Sequence, residues 1–537
     1  MRFVRIILVG FLLISICYSS CRGNTSKLVE KRDTTITPAN SFSELFLDSI
    51  KLESFITDQK LSNKAAKRIR SFYNTRNFQF AWFNNDGLAE QTRAFWNLHN
   101  TYINFSKDST LSDKHLHEKM EVFLAEDSTV KMHANEIVET ELQLTEHFFN
   151  YVEYAYAGKL QPEELQWYIP RKKVDALKLL DSLVAGKGRN IDKWEPVNKQ
   201  YKLMNNQLKR YFEIRKEPPW NDILLGKRKS YQQGDSALVI KQVKLRLKSL
   251  GDYAGIDTSL IFTKELVIAV MQAQRRLGCK QEPEINDGLI RELNVPLNER
   301  IKQLLINMER MRWMPAESDR NGILVNIPDF KLHVFENSKK VFDMNIVVGK
   351  SANKTVIFND VLKYIVFSPY WNVPPSIVRN EILPALSKNP NYLNKHNMEQ
   401  TGYLDGLPVI RQRPGGGNAL GKVKFVFPNS YNIYMHDTPV KSLFQNQKRA
   451  FSHGCIRLED AGKMAEYLLR NQPEWTTERI RQAMNARSEK WVLLKEQLPV
   501  VITYFTAWVS RDGLLNFRED VYGNDKKMAR QMFALEE

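Results

Sequence analysis

The residues best suited to chemistry are one cysteine and two histidines that lie near it in the sequence. Cys455 belongs to the segment Ser452-His453-Gly454-Cys455-Ile456-Arg457-Leu458, and His436 ends an alternating stretch upstream. A thiol with an imidazole within reach is the minimum set of groups for catalysis by a thiolate nucleophile. Gly454 has no side chain, so a backbone N–H can approach the group that the sulfur attacks.

Either histidine can serve as the base. In an extended stretch the side chains of His453 and Cys455 share a face, so these two can meet. In cysteine enzymes the base usually comes from a separate part of the fold, which favours His436 as the base and gives His453 a supporting role. The alternative is a buried free cysteine beside two packed histidines. The glycine and the polar residues that flank the cysteine argue against that alternative.

These motifs resemble the signature of a known family. The segment 452–458, preceded by His436-Asp437-Thr438-Pro439, is similar to the active-site motif of L,D-transpeptidases with a YkuD-type catalytic domain. Three further segments, at 307–315, 370–377 and 413–421, resemble the large multidomain periplasmic branch of that family. The resemblance covers most of the chain from about Tyr231 onward and is more diffuse before it.

The resemblance and the hydrophobic patterns together predict a multidomain α+β fold. It comprises a helical N-terminal scaffold, a small three-helix peptidoglycan-binding-like module, and a mostly β YkuD-type catalytic domain with a capping insertion. The predicted boundaries are 1–21 for a signal peptide, 22–40 for a flexible tether, 41–227 for the scaffold, 228–296 for the module, 297–321 for a connecting helix, 322–520 for the catalytic domain with its capping subdomain at about 377–421, and 521–537 for a C-terminal tail.

Local patterns support these boundaries. Apolar residues at helical spacing run to Gly158, and two apolar helical stripes in the module end at Gly251 and near Gly278. Strand-like runs begin at Ile323, with a hairpin turn expected at 337–339. The insertion reads as a short helix at 379–386 followed by Pro- and Gly-rich loops, and a long insertion beside an active site is often a lid.

The first 21 residues predict export. Arg2 and Arg5 precede an apolar run at 6–16, which is short for a membrane-spanning helix. The run ends just before Ser19-Ser20-Cys21, which resembles a bacterial lipoprotein processing site and makes Cys21 the candidate for lipidation. Tyr18 departs from the usual aliphatic residue, so plain signal cleavage is the alternative. The expected location is the periplasm, with a lipid anchor in the membrane if Cys21 is modified.

The basic net charge narrows the classes of molecule that the protein can bind. The chain has 537 residues, a formal net charge of +17 and four cysteines. A basic balance suits nucleic acid, anionic lipid or an acidic polymer. Export and the lack of a dense basic tract with interleaved aromatics exclude nucleic acid and favour the anionic cell envelope. No metal-ligand spacing or phosphate-binding loop is present, so neither a metal nor a cofactor is expected.

The resemblance implies acyl transfer on peptidoglycan stem peptides. His436 takes the proton of Cys455 or holds it in a thiolate–imidazolium pair. The thiolate attacks the carbonyl between the diamino acid at stem position 3 and the terminal D-Ala, and an amine of a second stem then attacks the thioester to form a 3→3 cross-link. Expected oxyanion donors are the N–H groups of Gly454 and Cys455 and the Tyr434 hydroxyl. The backbone carbonyl of Asp437, rather than its carboxylate, is expected to orient His436.

Other residues receive supporting or substrate-binding roles, namely Ser452, His453, Asp437, Thr438, Trp371 and Asn418. Arg457 either pairs with a stem carboxylate or holds the cysteine loop.

Two alternative functions keep the same chemistry, with water as acceptor in an L,D-carboxypeptidase or with a protein amine as acceptor. An alternative of another class is a catalytically silent wall-binding lipoprotein. The sequence leaves open the acceptor, the diamino acid, glycan binding by the module and the oligomeric state.

Overall fold

The computed structural model describes residues 29–41, 43–106, 111–125, 133–189, 197–315 and 321–533. The predicted signal peptide, Cys21 and the first part of the predicted tether lie outside these residues. Contacts divide the chain into two compact units, Met1–Glu153 with Asp175–Glu195, and Tyr154–Val174 with Pro196–Glu537. Within the described ranges, no helix is long and apolar enough to cross a membrane.

The first unit is helical, as the sequence predicts. Side-chain oxygens of Asp48, Ser62, Asp113 and Asp175 accept backbone N–H groups at the starts of four helices. Its elements are α1 Ser49–Asp58, α2 Asn63–Thr75, β1 Phe83–Asn84, β2 Gly87–Leu88, α3 Glu90–Ser106, α4 Lys114–Leu124, α5 Ala134–Tyr151 and α6 Ala176–Ala185.

The second unit begins with the continuation of α5 and includes the small module. A π-helical turn at Val152–Ala157 ends at Gly158, and a 3₁₀ turn spans Pro162–Leu165. The three predicted helices of the module are confirmed, beside a short two-stranded sheet. The elements are α7 Lys199–Lys216, β3 Ser230–Gln232, α8 Leu238–Leu250, α9 Lys264–Arg276, β4 Glu284–Asn286, α10 Asp287–Leu293 and the connecting helix α11 Leu297–Trp313.

The catalytic part of the second unit is built on a mixed sheet. Its strands are β5 Gly322–Asn326, β6 Lys331–Glu336, β7 Lys339–Gly349, β8 Asn359–Phe367, β12 Val423–Val426, β13 Met435–His436, β14 Ala450–Ser452, β15 Ile456–Leu458 and β16 Lys490–Thr503. The order is β14-β7-β15-β13-β12-β8-β16-β5-β6, and a further pairing of β6 with β7 closes the sheet on itself. The predicted hairpin turn between β6 and β7 is present, with Asn337 and Ser338 at φ 50° and 60°.

Side-chain alternation along the central strands puts apolar residues on one face of the sheet and polar residues on the other. Val423 and Phe425 on β12, Met435 on β13, and Ile456 and Leu458 on β15 are buried in one apolar cluster. Because successive strand residues point to opposite faces, the intervening polar side chains lie on the other face of the sheet. The polar residues placed there are Lys424, Tyr434, His436, Cys455 and Arg457.

The capping insertion differs from its predicted form. A short helix is present, as α12 Pro375–Ile377, a π turn at Val378–Ile382 and α13 Leu383–Lys388, followed by α14 Tyr392–Lys395. The segment predicted as loops is instead largely a hairpin of β10 Met398–Leu404 and β11 Leu407–Gln412, which pairs with β9 Trp371–Asn372. The loop prediction was wrong because Asp405-Gly406, at φ 49° and 75°, is a two-residue hairpin turn.

The remaining elements follow the cysteine motif. They are a 3₁₀ turn at Lys441–Gln445, α15 Ala461–Leu469, α16 Thr477–Met484, β17 Ala507–Val509, β18 Leu515–Phe517 and α17 Asn524–Met532. The sequence pattern predicts helices at about 460–470 and 477–486, and α15 and α16 confirm both. The predicted mostly β catalytic domain agrees with this arrangement.

The connecting helix α11 is joined to the segment between β16 and β17 by a buried amide. Asn307 Nδ2 donates to Thr506 Oγ1 at 2.7 Å, and Asn307 Oδ1 accepts the Thr506 N–H at 2.9 Å. Both residues are fully buried. The amide therefore pairs groups that water cannot reach.

Asn307→Ala leaves the Thr506 N–H buried without its partner. We expect a loss of about 2 kcal/mol in the free energy of unfolding, seen as a lower melting temperature of the full chain by differential scanning calorimetry. Asn298→Ala, at an exposed position of the same helix, is the control and keeps the original melting temperature. Equal melting temperatures for the two variants would refute this role of Asn307.

Candidate active site

The site is assembled by the pairing of β13 with its two neighbours. His436 is the register partner of Lys424 on antiparallel β12 and of Arg457 on parallel β15. Paired residues share a face of a sheet, so these three side chains form one row, called here the Lys424–His436–Arg457 row. Cys455 directly precedes β15, and the N–H of Ile456 donates to the Tyr434 carbonyl at 3.1 Å. The pairing thus places Cys455 beside Tyr434.

His436 is held by a backbone carbonyl. Its ring is 4 % exposed, and Nδ1 lies 2.5 Å from the Asp437 carbonyl oxygen. A carbonyl can only accept, so Nδ1 carries the proton and Nε2 is left as the proton acceptor. The Asp437 carboxylate instead accepts the Lys422 N–H and the Lys441 ammonium, at 2.9 and 2.8 Å. This is the orientation that the sequence pattern predicted.

Burial keeps the imidazole neutral. It lowers the pKa of His436 to about 3, the cation of Arg457 acts in the same direction, and the carbonyl of Asp437 opposes the shift. The folded pKa lies below the ordinary histidine value of about 6.5, so the unfolded chain binds the proton more readily. The neutral ring therefore makes its full contribution to the free energy of unfolding above about pH 6.5, and that contribution is lost as the pH falls toward 3.

The thiol is neutral in the same way. Cys455 is half-buried, and its burial raises the pKa of the thiol, while hydrogen bonds from Tyr434 and the cations of Lys424 and Arg457 lower it. The sulfur donates to the carbonyl oxygen of Asn432 at 3.7 Å. Cys455 and His436 are both described residues, and no hydrogen bond joins the sulfur to the ring. The resting arrangement is thus a thiol beside a neutral imidazole.

Tyr434 connects the two groups. Its ring centroid lies 5.8 Å from that of His436, and its phenol is near enough to Cys455 for the two groups to shift each other's pKa. Burial and the nearby Cys455 raise the pKa of the phenol, so the hydroxyl stays a proton donor. This supports the expected role of Tyr434 beside a developing negative charge.

Lys424 was not identified from the sequence. Its Nζ lies 5.3 Å from the ring centroid of Tyr434 and 5.4 Å from that of Trp491. Burial lowers the pKa of this ammonium, and Glu489 and Cys455 oppose the shift. The only signal in the sequence is a lysine between the apolar residues Val423 and Phe425, which shows a polar position on a core strand but gives it no function.

Arg457 occupies the other side of His436. Burial lowers the pKa of its guanidinium, and Cys455 opposes this shift. Within the described residues its Nε is buried and has no hydrogen-bond partner. A buried donor without a partner is costly unless a ligand completes it, which favours the pairing with a substrate carboxylate over a purely structural role.

The cysteine loop is fixed by two hydroxyls. Ser452 Oγ donates to the Cys455 carbonyl at 2.6 Å and accepts the Gly454 N–H at 3.1 Å. Thr355 Oγ1 donates to the Gly454 carbonyl at 2.7 Å and accepts the Gly349 N–H at 2.9 Å. Gly454 has φ 118°, a conformation that other residues rarely adopt. Because Ser452 already engages its N–H, Gly454 is a weaker oxyanion donor than the sequence suggested.

The other predicted residues make contacts with groups other than the Cys455 sulfur. His453 is exposed, with Nε2 3.2 Å from Glu381 Oε1 of the capping insertion. Asn418 is buried and donates to the carbonyls of Pro369 and Arg413, which fixes the Gly-rich loop. Trp371 packs against the apolar cluster of the cap, and Thr438 is buried and accepts the Val440 N–H. Among the described residues, no three His, Cys, Asp or Glu side chains come together as a metal site.

Comparison with known proteins identifies the domain in which this site lies. Residues 320–493 match the YkuD family, described as the L,D-transpeptidase catalytic domain. Lys424, His436 and Cys455 all fall inside the matched segment. This part of the chain is therefore a YkuD-type L,D-transpeptidase catalytic domain. Residues 67–208 match the family described as the scaffold domain, so the multidomain organisation inferred from the motifs is also confirmed.

A curated protein is similar to part of the chain. A Haemophilus influenzae protein named "Putative L,D-transpeptidase" is 30 % identical over 242 residues, which are 42 % of this chain and 49 % of that protein. The chain therefore spans about half the length of this curated relative.

Two solved structures are also similar in part. The L,D-transpeptidase of Xylanimonas cellulosilytica is 12 % identical with a TM-score of 0.17, over 53 % of this chain and 100 % of that one. That of Stackebrandtia nassauensis is 15 % identical with a TM-score of 0.19, over 53 % and 97 %. Likeness at this level does not bear on mechanism.

A thiol without a preformed imidazolium partner makes a clear prediction for alkylation. The rate of Cys455 modification by iodoacetamide should rise about tenfold per pH unit from pH 6 to 8, in proportion to the thiolate fraction. Mass spectrometry of the peptide that contains Cys455 measures it separately from the other cysteines. A rate independent of pH over this range would show a thiolate–imidazolium pair instead.

Lys424→Met removes the cation beside the sulfur and keeps the bulk of the side chain. We expect the alkylation rate of Cys455 at pH 8 to fall about fivefold, because the pKa of the thiol rises further. Lys422→Met is the matched control, since the Lys422 ammonium donates to Asn485 Oδ1 at 2.8 Å. Equal rates in the two variants would exclude an electrostatic role for Lys424.

Proposed function

We propose that this protein forms 3→3 cross-links in peptidoglycan through a thioester on Cys455, with release of D-Ala from tetrapeptide stems. The observation that carries the proposal is a thiol beside a neutral His436 whose Nδ1–H is held by the Asp437 carbonyl. That arrangement leaves Nε2 to accept and return one proton, which acyl transfer between two amines requires.

The first half-reaction acylates the cysteine. The thiol proton passes to His436 Nε2 as the sulfur attacks the carbonyl carbon between the diamino acid and D-Ala. The oxygen that gains charge is stabilised by the Tyr434 hydroxyl and the Cys455 N–H, in the field of Lys424 and Arg457. The C–N bond then breaks, and His436 gives its proton to the departing amine of D-Ala.

The second half-reaction transfers the acyl group. The side-chain amine of a second stem attacks the thioester, and its proton passes to His436. The C–S bond breaks, the new amide is the 3→3 cross-link, and the sulfur recovers its proton. A thioester is already activated toward amines, so no nucleotide is consumed. Lys424 and Arg457 flank a neutral Cys–His pair, so these two cations stabilise the negative charge that develops during the reaction.

The capping insertion is suited to hold the donor stem over the sulfur. It has its own three-stranded sheet and apolar cluster, and it reaches the cysteine loop through Glu381 and His453. In this proposal the cap, with Trp371, closes over Cys455, and the buried Nε of Arg457 binds a stem carboxylate.

The cellular setting is part of the proposal. The predicted signal segment places the chain in the periplasm, and lipid on Cys21 would hold it at the membrane. The net charge of +17 favours contact with the anionic wall polymer. The scaffold and the small module would then present the catalytic domain to the glycan strands.

The purified full chain, incubated with disaccharide-tetrapeptides, tests the reaction. We expect release of D-Ala and formation of a 3→3 dimer by mass spectrometry, and loss of both in Cys455→Ala. Cys279→Ala is the matched control, because burial raises the pKa of that thiol to about 12 and it donates to the Gly288 carbonyl at 3.6 Å.

The products of this reaction identify the acceptor of the acyl group. D-Ala release without dimer would show hydrolysis or transfer to a protein amine in place of cross-linking. No Cys455-dependent product would refute the proposed reaction and support a silent wall-binding protein.

A further inference from the structure

A cavity of about 420 Å³ lies behind the cysteine loop, in the second unit. Its volume is within the range of roughly 300–1,000 Å³ that small-molecule sites occupy. The proposed reaction does not use it. Its walls come from the 166–168 segment, the loop between β7 and β8, Tyr431 and the start of α17.

The lining is cationic. Lys354 and Lys527 both border the cavity, and none of its lining residues is an aspartate or a glutamate. Lys354 Nζ donates to the Tyr522 carbonyl at 2.9 Å, which fixes the ammonium and leaves further N–H groups for a ligand. Lys527 is exposed. The side-chain amides of Gln166 and Asn524 add neutral donors and acceptors, so the cavity suits an anion that also carries polar groups.

Two stacked tyrosines form one wall. The rings of Tyr168 and Tyr431 lie 5.3 Å apart at 27°, and the residues are 41 % and 37 % exposed. The first is fixed by its N–H, which donates to the Ile357 carbonyl at 2.8 Å, and the second packs on Phe358 at 4.9 Å. Rigid, exposed aromatic faces with a polar edge are suited to the apolar face of a sugar ring.

The cavity is connected to the nucleophile at two points. Thr355 lines it and donates to the carbonyl of Gly454, the residue before Cys455, at 2.7 Å. Tyr431 precedes Asn432, whose carbonyl accepts the Cys455 thiol. A ligand in the cavity would therefore lie against both segments that position the sulfur.

We propose that this cavity is a subsite for an amino-sugar–peptide portion of a peptidoglycan strand that bears a carboxylate. Lys354 and Lys527 bind the carboxylate, and the Tyr168–Tyr431 stack packs on the sugar. The inference rests on the proposed function, because it takes the polymer whose stems react at Cys455. It adds a second contact with the strand, apart from the reacting groups at Cys455.

Calorimetric titration of the full-length Cys455→Ala chain with disaccharide-tetrapeptide tests the subsite without turnover. Adding Lys527→Glu should weaken binding about fivefold, through loss of one partly exposed ion pair. Lys526→Glu makes the same charge change on the neighbouring, exposed residue outside the cavity and should bind as the parent does. Equal affinities for the two variants would overturn the proposal.

The sugar contact is tested with a second probe. Tyr168→Ala in the same Cys455→Ala chain should weaken binding of the disaccharide-tetrapeptide and leave binding of the tetrapeptide without sugars unchanged. An equal effect of Tyr168→Ala on both probes, or none on either, would overturn the assignment of the tyrosine wall. Melting temperatures confirm that each variant is folded.

The subsite and the reaction can fail separately. Cys455-dependent D-Ala release without Lys527-dependent binding keeps the reaction and overturns the subsite. Lys527-dependent binding with no D-Ala release by the unmodified chain supports the subsite and refutes the reaction.

Discussion

The parallel pairing of β13 with β15 is the constraint on which the site depends. It sets His436 beside Arg457 and the Tyr434 backbone beside Cys455, while Met435 and Ile456 point into the core. A slip of one residue would turn the imidazole into the apolar interior and the methionine toward the substrate. The buried apolar residues of these strands therefore fix the positions of the polar groups in the candidate site as firmly as any hydrogen bond there.

Burial and charge act against each other at this position. Burial raises the pKa of the Cys455 thiol and lowers that of His436, so the folded chain holds both groups neutral. Lys424 and Arg457 are held beside them, where their own burial lowers their pKa values. The site is thus ready for a negative charge that is absent at rest, which is the condition under which fixed cations lower a barrier. Slow alkylation of the free protein at neutral pH is consistent with an active enzyme.

The sequence predicted what depends on local pattern. The helical stripe that ends at Gly251, the Asn337-Ser338 turn and the carbonyl that orients His436 all follow from spacing and side-chain alternation. Contacts between distant segments were not predictable in this way. Lys424 lies beside His436 only because β12 pairs with β13, and the Gly454 N–H donates to Ser452. Tyr154–Val174 belongs to the second unit although it lies within the predicted scaffold. The cap hairpin could have been predicted, since Asp405-Gly406 between apolar residues is a hairpin signal.

The protonation state of His436 in the free protein tests the account most directly. With ¹³C-labelled histidine, its ring signal can be assigned by comparison of the full chain with a His436→Gln variant and followed from pH 8 to pH 5 by NMR. The account predicts a neutral imidazole across this range, with the proton on Nδ1, because burial holds the pKa at about 3. An imidazolium signal at neutral pH that disappears in Cys455→Ala would contradict it and show a preformed ion pair.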